Sequence, residues 1–356
     1  MLIFRQKENI VSLRKKITVA AAALLTATLF AGCSSTAGGG ADAAATPKVA
    51  IGIGGQTLLT YLPTTLAEQL GYYEEEGLDV DLQDLQGGSK ALTALLGGSV
   101  NVVSGYYEHT IQMQAKNQSI TSFVQMGKSP AIALVVAPGS TSKIKSLDDL
   151  IGKSVGVTAP GSSTHTMLRF LLEEAGLNPD GVSVVAMGAG ASAVAAMESG
   201  GVVAGVMLEP DVSVLAERTG AETVSLADLR SPAGVEEHYD TDMWPSSSFY
   251  AQSDWLAKNP ETAQKLANVL TKTLAYIAEH TGAEIAAEMP ETFSGGNLER
   301  YAALIEELKP QLTEDGRNSE AGAEAVLDTQ RIANPEVGDA EIDLAATYTN
   351  EFVGGK

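Results

Sequence analysis

The stretch Ser154-Val155-Gly156-Val157-Thr158-Ala159-Pro160-Gly161-Ser162-Ser163 contains the unit that decides the fold. A short apolar run of strand type passes into a glycine loop, and the loop opens a helix that Gly176 closes. The same order of strand, glycine loop and helix recurs along the chain. Its further strands are predicted at 49–53, 78–85, 100–104, 131–136, 182–187, 202–208 and 249–252. This alternation favours an α/β protein with helices covering largely parallel sheets.

The pattern stops once and restarts, which predicts two lobes. The strand at 131–136 leads into Pro138-Gly139, a natural exit from the first lobe, and the pattern begins again at Ser146. After Trp244-Pro245 a strand returns, and the chain from Pro260 is mostly helical. We therefore predict lobe I from residues 48–136 and 246–356, and lobe II from residues 137–245.

The first residues predict export. Arg14, Lys15 and Lys16 precede an apolar run of 14 residues at 17–30, shorter than the roughly 20 that span a bilayer. Leu29-Phe30-Ala31-Gly32-Cys33 follows and resembles the bacterial lipobox. We expect residues 1–32 to be a lipoprotein signal peptide and Cys33 to carry the lipid. Residues 33–47 form a flexible tether of small and polar residues.

Composition and charge exclude several classes of function. The whole chain carries a net charge of −21, which disfavours nucleic acid as a partner. Cys33 is the only cysteine, so neither a disulfide nor a thiolate metal site is expected. The four histidines form no zinc motif, and no nucleophile elbow or phosphate loop is present. We expect no metal, no cofactor and no enzymatic activity.

Four ordered segments resemble a known family. Similar segments occur in the ABC-transporter solute-binding proteins for aliphatic sulfonates, taurine, nitrate and thiamine precursors, the NMT1/THI5-like family, over about 48–352. The segments are Leu70-Gly71-Tyr72-Tyr73-Glu74-Glu75-Glu76-Gly77-Leu78-Asp79-Val80, Gly97-Gly98-Ser99-Val100-Asn101, Ser146-Leu147-Asp148-Asp149-Leu150-Ile151-Gly152-Lys153-Ser154-Val155-Gly156-Val157, and Asp254-Trp255-Leu256 with Asn259-Pro260.

The resemblance implies a fold and a role. The fold is the type II periplasmic-binding-protein fold, two α/β lobes with a ligand cleft between them. The role is that of a monomeric, lipid-anchored protein on the outer face of the cytoplasmic membrane, or facing the periplasm. It would hand a small organic solute, sulfonate-like or related, to an ABC permease. Two alternatives stay open, a cofactor- or vitamin-pathway enzyme on the same fold and a sensory surface lipoprotein.

The loop Pro160-Gly161-Ser162-Ser163-Thr164-His165 is the first candidate site. Free N–H groups at a helix start suit an anion or a carbonyl. Similar sulfonate-binding proteins carry a Gly-Ser-Ser-x-His segment here. The hydroxyls of Ser162, Ser163 and Thr164 would add donors, unless Ser163 or Thr164 serves only as a helix cap. His165 is left open between ligand contact and helix packing.

Other candidates lie where strands end, because ligands of open α/β sheets bind beyond the carboxyl ends of the strands. The tyrosines among them could instead cover the core, and Glu209 would repel an anion. Trp244 could stack on a flat ligand where the chain crosses back. The candidates are Gln56, Ser89, Tyr106 and Tyr107 in the first lobe, Gly190 and Glu209 in the second, and Trp244.

A dinucleotide motif competes with this interpretation. Gly188-Ala189-Gly190-Ala191-Ser192-Ala193 fits G-x-G-x-x-A, and Glu209 ends the next strand at the expected distance. Too few strands follow the motif for a full dinucleotide fold. The predicted export also argues against NAD, which is scarce outside the cell. We therefore expect no bound dinucleotide.

Overall fold

The computed structural model describes residues 46–239 and 243–354. The predicted signal peptide, Cys33 and most of the predicted tether lie outside the described residues. Within them the strands are β1 (Lys48–Ile53), β2 (Asp79–Asp84), β3 (Val102–Tyr106), β4 (Ile120–Gln125), β5 (Ile132–Val136), β6 (Ser154–Val157), β7 (Ser183–Ala186), β8 (Ala204–Leu208), β9 (Val224–Asp228) and β10 (Ser247–Gln252).

Helices cover the sheets, as the alternating pattern predicts. The α-helices are α1 (Leu62–Gln69), α2 (Tyr72–Glu75), α3 (Gly88–Leu96), α4 (Glu108–Ala115), α5 (Ser163–Glu174), α6 (Ala191–Glu198), α7 (Asp211–Thr219), α8 (Pro232–His238), α9 (Ser253–Lys258), α10 (Pro260–Glu279), α11 (Gly282–Glu288), α12 (Leu298–Leu308) and α13 (Glu320–Ala333). Over the stretches the structure describes, none of the helices has the length and apolar character needed to cross a membrane.

Two five-stranded mixed sheets form the framework. Their strand orders are β2-β1-β3-β10-β4 and β7-β6-β8-β5-β9. In the first sheet β1 is parallel to β2 and β3, whereas β10 is antiparallel to β3 and β4. In the second sheet β6 is parallel to β7 and β8, whereas β5 is antiparallel to β8 and β9. β5 is the first strand after the chain leaves the first sheet, and β10 is the first strand after it returns. In each sheet, the strand that follows the crossover is therefore antiparallel to its two neighbours.

One predicted boundary is wrong. The strand at 132–136, assigned to lobe I from the sequence, is β5 and pairs with β8 and β9 of the second sheet. The first crossover therefore lies at 126–131 and not at 136–137. Every residue of β5 is buried. A continuous apolar run suits the interior of either sheet, so its sequence could not specify the partner.

The two crossovers run side by side. Gly127 N donates to Ser247 O at 2.9 Å, and Ser246 N donates to Gly127 O at 2.9 Å. A Cβ on Gly127 would lie 2.2 Å from Ser246 Oγ, so only glycine allows this close approach. Paired crossover segments of this kind are the natural hinge between two lobes.

Candidate functional site

The carboxyl ends of strands from both sheets meet at one interface. Ser89, at the start of α3, contacts Ser162, just before α5: Ser89 N donates to Ser162 Oγ at 3.0 Å, and the two hydroxyl oxygens lie 3.2 Å apart. Leu59 N donates to Glu209 O at 2.9 Å across the same interface. These contacts hold the lobes against each other in this structure.

A central cavity of about 10 Å³ lies between the two sets of loops. This volume is at the lower limit for a single water molecule, so a solute can enter only when the lobes are further apart. Two grooves of about 610 Å³ and 870 Å³ also lie between the lobes. The central cavity is lined by Gly54, Leu58, Tyr61, Gly88, Tyr106, Thr158, Ser162, Ser163, Thr164 and Leu208.

The predicted glycine loop reaches this cavity, but its hydroxyls already have partners. Thr158 N donates to Thr164 Oγ1 at 3.0 Å, and the two threonine hydroxyls lie 2.9 Å apart. Ser162 is the N-cap residue of α5, and no side-chain bond caps the helix. Hence neither Ser163 nor Thr164 is a helix cap. All three predicted hydroxyl residues therefore bind other parts of the protein: Ser162 bonds to Ser89, Thr164 to Thr158, and Ser163 to the carboxyl group of Glu108.

Of the first-lobe candidates, Tyr106 lines the cavity and Ser89 lies at its edge. Tyr106 donates its hydroxyl to Pro130 O at 2.6 Å. Tyr107 points elsewhere: its hydroxyl lies 2.5 Å from Thr347 Oγ1, and it packs in the core. Gln56 N donates to Asp84 Oδ1 at 3.1 Å, and Gln56 is not among the described residues that line the central cavity.

Trp244 is not placed to stack on a solute. Its indole is fully buried, and Nε1 donates to Thr329 Oγ1 at 2.9 Å. Its ring packs against Tyr106 and Tyr239, with centroid distances of 6.5 and 6.1 Å. Trp244 therefore supports Tyr106 from behind and fixes the second crossover to α13.

Glu209 and Gly190 lie beside the cavity and have partners within the second lobe. The Glu209 carboxylate forms an ion pair with Arg230 and accepts a bond from Ser213 N at 3.1 Å. It lines the 610 Å³ groove, and its charge is balanced there. Gly190 N donates to Asp211 Oδ2 at 2.7 Å. The start of α6, where a dinucleotide phosphate would bind, is thus occupied by the protein's own carboxyl group.

Asp211 is itself buried against this helix start. Burial raises the pKa of Asp211 to about 7, although the bond from Gly190 N acts in the opposite direction. A phosphate at this helix start would have to displace the Asp211 carboxyl group.

Two functional candidates were missed in the sequence, Glu108 and His109. They form the first turn of α4, directly after β3, and both side chains are fully buried. Gln330 Nε2 donates to Glu108 Oε2 at 3.2 Å, and His109 Nδ1 lies 2.8 Å from Tyr250 OH. Among the described residues, Glu108 Oε1 and His109 Nε2 have no hydrogen-bond partner.

Burial shifts the protonation of both groups towards the neutral form. It raises the pKa of Glu108 to about 7, although the hydroxyls of Ser163 and Thr166 oppose the shift. It lowers the pKa of His109 to about 4, against the effect of the Gly161 backbone. The signal that could have revealed the pair is an acid and a histidine at a helix start after a buried strand.

His109 lies immediately behind the cavity wall. A Cβ on Gly88, which lines the cavity, would be 2.9 Å from His109 Cε1 and 3.7 Å from Ser162 Oγ. Glycine at position 88 therefore leaves the imidazole separated from the cavity by backbone alone.

The nearby basic side chains lie outside the central cavity. His165 and Arg169 line the 870 Å³ groove. His165 Nδ1 accepts from Gly161 N at 3.0 Å, while Arg169 pairs with Asp180 at 2.8 Å. Burial lowers the pKa of His165, and Arg169 adds to this effect. None of the described residues that line the central cavity is Lys or Arg.

In residues 46–239 and 243–354, no group of three or more His, Cys, Asp or Glu side chains is placed to hold a metal ion.

Comparison with known proteins identifies relatives of the chain. The family model described as NMT1/THI5 like matches residues 60–283. Among solved structures, a protein from Bordetella bronchiseptica RB50 is 37% identical, with a TM-score of 0.81, over 86% of this chain and 95% of that chain. The alkanesulfonate-binding protein SsuA from Xanthomonas axonopodis pv. citri, bound to MOPS, is 20% identical with a TM-score of 0.64, over 83% and 96%. SsuA shows the fold alone, and it confirms the predicted periplasmic-binding-protein architecture.

Sequence relatives are of two kinds. YtlA of Bacillus subtilis strain 168 is provisionally named a binding protein. It is 24% identical to this chain, over 70% of this chain and 72% of its own length. The 4-amino-5-hydroxymethyl-2-methylpyrimidine phosphate synthase of Schizosaccharomyces pombe strain 972 is 30% identical, but only over 36% of each chain. The longer match is therefore to a protein named for binding.

Proposed function

The chain belongs to the NMT1/THI5-like family, and from this premise we propose that it captures a small organic solute between its lobes and delivers it to an ABC importer. Family and fold together support a solute-binding role. The proposal adds the importer as recipient and a solute that is sulfonate-like or related.

The observation that carries the proposal is the pair Glu108 and His109. A buried polar atom without a partner costs roughly 1–3 kcal/mol, so native proteins rarely keep one without a use. Here Glu108 Oε1 and His109 Nε2 are such atoms, on neighbouring residues at the start of α4. A solute that hydrogen-bonds to them would offset this cost.

A ligand screen on the purified protein tests the proposal. The panel contains alkanesulfonates, nitrate, pyrimidines and small aromatic acids and amides, and the melting temperature is the readout. A ligand at 100 times its Kd adds about 2.7 kcal/mol to the free energy of unfolding. We expect at least one ligand with a micromolar or lower Kd. If a folded, ligand-free sample binds none of the panel, the proposal is wrong.

The proposal also includes the anchor. We expect Cys33 to carry the lipid and the protein to face outward from the cytoplasmic membrane. Labelling with a fatty-acid analogue should mark the natural chain and leave Cys33→Ala unmarked, and Cys33→Ala should appear in the soluble fraction. Equal labelling of both chains would contradict the anchor without affecting solute capture.

The second candidate is an enzyme of a cofactor pathway, favoured by the local similarity to the pyrimidine phosphate synthase. A histidine beside a carboxyl group could also transfer protons. Mass spectrometry of the solute recovered from the protein separates the two. An unchanged solute supports capture, and a converted solute supports catalysis.

A further inference from the structure

We infer that the protein has a fully closed state in which the lobes contact each other and exclude the solute, and that glycine at position 87 permits this closure. The inference rests on the proposed function and adds a form of regulation to the same site. Capture requires the lobes to separate, so the closed state competes with the solute.

The first argument is the space left between the loops. The central cavity of about 10 Å³ holds at most about one water molecule, so no organic solute fits into it. The larger grooves do not extend this cavity. Among the described residues, the 610 Å³ groove shares only Leu208 with the cavity lining, and the 870 Å³ groove shares no residue with it. The loops at the strand ends therefore meet each other and leave no room for a solute.

The second argument is the contact between Gly87 and Ala159. Gly87 precedes α3 in the first lobe, Ala159 follows β6 in the second lobe, and both are buried. A Cβ on Gly87 would lie 2.9 Å from Ala159 Cβ, well inside the distance at which two carbon atoms attract. The Cβ of alanine is fixed to the backbone, so no side-chain rotation relieves such a contact. The backbones belong to opposite lobes, and their separation would relieve it.

An added Cβ on Gly87 would fit its own lobe. The next nearest atoms are Cδ and Cγ of Lys90, at 3.6 and 3.7 Å, which is ordinary van der Waals contact. Gly87 has φ 167° and ψ 128°, an extended backbone that any residue adopts. The neighbouring Gly88 differs, because a Cβ there would lie 2.9 Å from His109 Cε1 in the same lobe. Position 87 is therefore the one of the two at which an alanine tests closure alone.

The third argument is the set of bonds that join the lobes directly. Ser89 N donates to Ser162 Oγ at 3.0 Å. Beside the 610 Å³ groove, Glu217 of α7 forms an ion pair with Arg300 and accepts a bond from Asn297 Nδ2 at 3.1 Å. Both of these partners lie at the start of α12 in the first lobe. All these bonds are made by the protein itself, so they stabilise the closed state without a solute.

A closed state of this kind lowers the affinity for the solute. The apparent Kd equals the intrinsic Kd divided by the fraction of molecules that is open. Every solute therefore binds less tightly than it would to a protein that is always open. A substitution that weakens closure, and leaves the site itself intact, should tighten binding.

Disulfide formation across the interface tests the inference without any solute. Ser89→Cys and Ser162→Cys are introduced together into Cys33→Ala, so that the chain has only these two thiols. The serine hydroxyls lie 3.2 Å apart, which brings the thiols within reach of a bond when the lobes are closed. The protein is unfolded and refolded to remove bound solute, and thiol titration follows its mild oxidation. We expect the cross-link to form in most molecules.

Gly87→Ala, added to this protein, should slow the cross-link about fivefold or more, because the extra Cβ holds the lobes apart. Gly139→Ala is the matched control and should keep the rate, since Gly139 is exposed and a Cβ there has no described atom within 4 Å. Circular dichroism and melting check that each variant folds. If Gly87→Ala does not fold, Glu217→Gln takes its place and should slow the cross-link about twofold through loss of the ion pair. Its control is Glu198→Gln, whose partner Arg218 lies in the same lobe.

Calorimetric titration then connects closure with capture. The alkanesulfonates, nitrate, pyrimidines and small aromatic acids of the ligand screen are titrated into the natural protein, Gly87→Ala and Gly139→Ala. For each member that binds the natural protein, we expect Gly87→Ala to lower the apparent Kd about threefold or more, because more molecules are open. Gly139→Ala should leave the Kd unchanged.

The inference is overturned if the cross-link forms in few molecules, or forms as fast in Gly87→Ala as in Gly139→Ala. An unchanged or higher Kd in Gly87→Ala also overturns it. In these cases the proposed function stands, because the natural protein still binds a solute. If the natural protein binds no member of the panel, the proposed function is wrong and the inference falls with it.

Discussion

Two helix starts face each other across the interface, and they differ in a way that the sequence does not show. The start of α5 has the glycine and hydroxyl residues typical of a ligand loop. In the structure Thr164 bonds to Thr158 and Ser162 bonds to Ser89. The start of α4 contains no such loop, yet Glu108 and His109 there keep an unpartnered atom each.

The comparison shows that a loop with the residues typical of a ligand site need not keep hydrogen-bonding groups free for a ligand. A glycine-hydroxyl loop marks a position near the carboxyl end of a strand, and this position was predicted correctly. Its hydroxyls, however, bond to the nearest protein groups and help to hold the lobes together. A buried acid and histidine that each keep an atom without a partner are costly to the fold, and for this reason we propose them for recognition.

The largest expected effect is on pH dependence, because the start of α4 carries two fully buried titratable groups, whereas the start of α5 carries one, the partly buried His165. Burial raises the pKa of Glu108 and of Asp211 to about 7, well above the unfolded values. Each therefore stabilises the fold below its unfolded pKa and loses this contribution as the pH rises towards 7. His109, whose pKa falls to about 4, acts in the opposite sense over the same range.

Two carboxyls against one histidine leave about one excess proton on the folded state. From these groups the free energy of unfolding should fall by about 1.4 kcal/mol per pH unit between about pH 5 and 6.5. Urea unfolding at several pH values measures it. Glu108→Gln should reduce the number of excess protons on the folded state by about one and so flatten the slope. Glu74→Gln should leave the slope unchanged. An identical slope in the natural protein and Glu108→Gln would contradict the assignment.

The next effect concerns α5. Thr164→Ala removes the acceptor for the buried Thr158 N–H. The free energy of unfolding should fall by about 2 kcal/mol, since a buried donor loses its partner. Thr164→Ser keeps the hydroxyl and should lose less than half as much. Chemical denaturation of both variants measures this, and equal losses would show that the methyl group matters more than the bond.

The smallest effect concerns α4 and has the opposite sign. Glu108→Leu replaces a buried carboxyl that has an unpartnered oxygen, although it also frees Gln330 Nε2. We expect the free energy of unfolding to rise by about 1 kcal/mol at pH 7.5, while solute binding is lost. Urea unfolding and the ligand screen measure the two outcomes. A marked loss of stability would mean that Glu108 supports the fold.

Much of the fold was predictable, because its signals are local. The strand, loop and helix order follows from apolar runs and glycines within about 15 residues of each other, and family and fold are confirmed. The pairing of β5 was predicted wrongly, because an apolar strand contains no information on which sheet it joins. Part of the cavity lining was predictable on the same basis, since Ser162, Ser163 and Thr164 follow the end of β6 and Tyr106 is the last residue of β3.

The rest of the site depends on contacts between distant residues. Tyr107 is held by Thr347, and Trp244 by Thr329. Thr347 and Thr329 both lie in the last segment of the chain. No local sequence pattern predicts where this segment packs over the interface. The two tyrosines after β3 therefore looked equivalent in the sequence, and only the packed C-terminal segment separates Tyr106 at the cavity from Tyr107 in the core.

The sequence by itself determined the alternation of elements, the family and the position of the loops that end the strands. These follow from hydrophobic periodicity and from the backbone freedom of glycine, which act between neighbouring residues. Only the tertiary structure decided which polar atoms near those loops are satisfied. Glu108 meets a partner 222 positions away in Gln330, and its second oxygen meets none among the described residues. Whether a buried polar group has hydrogen-bond partners depends on all the residues packed around it, so it is decided only in the folded chain.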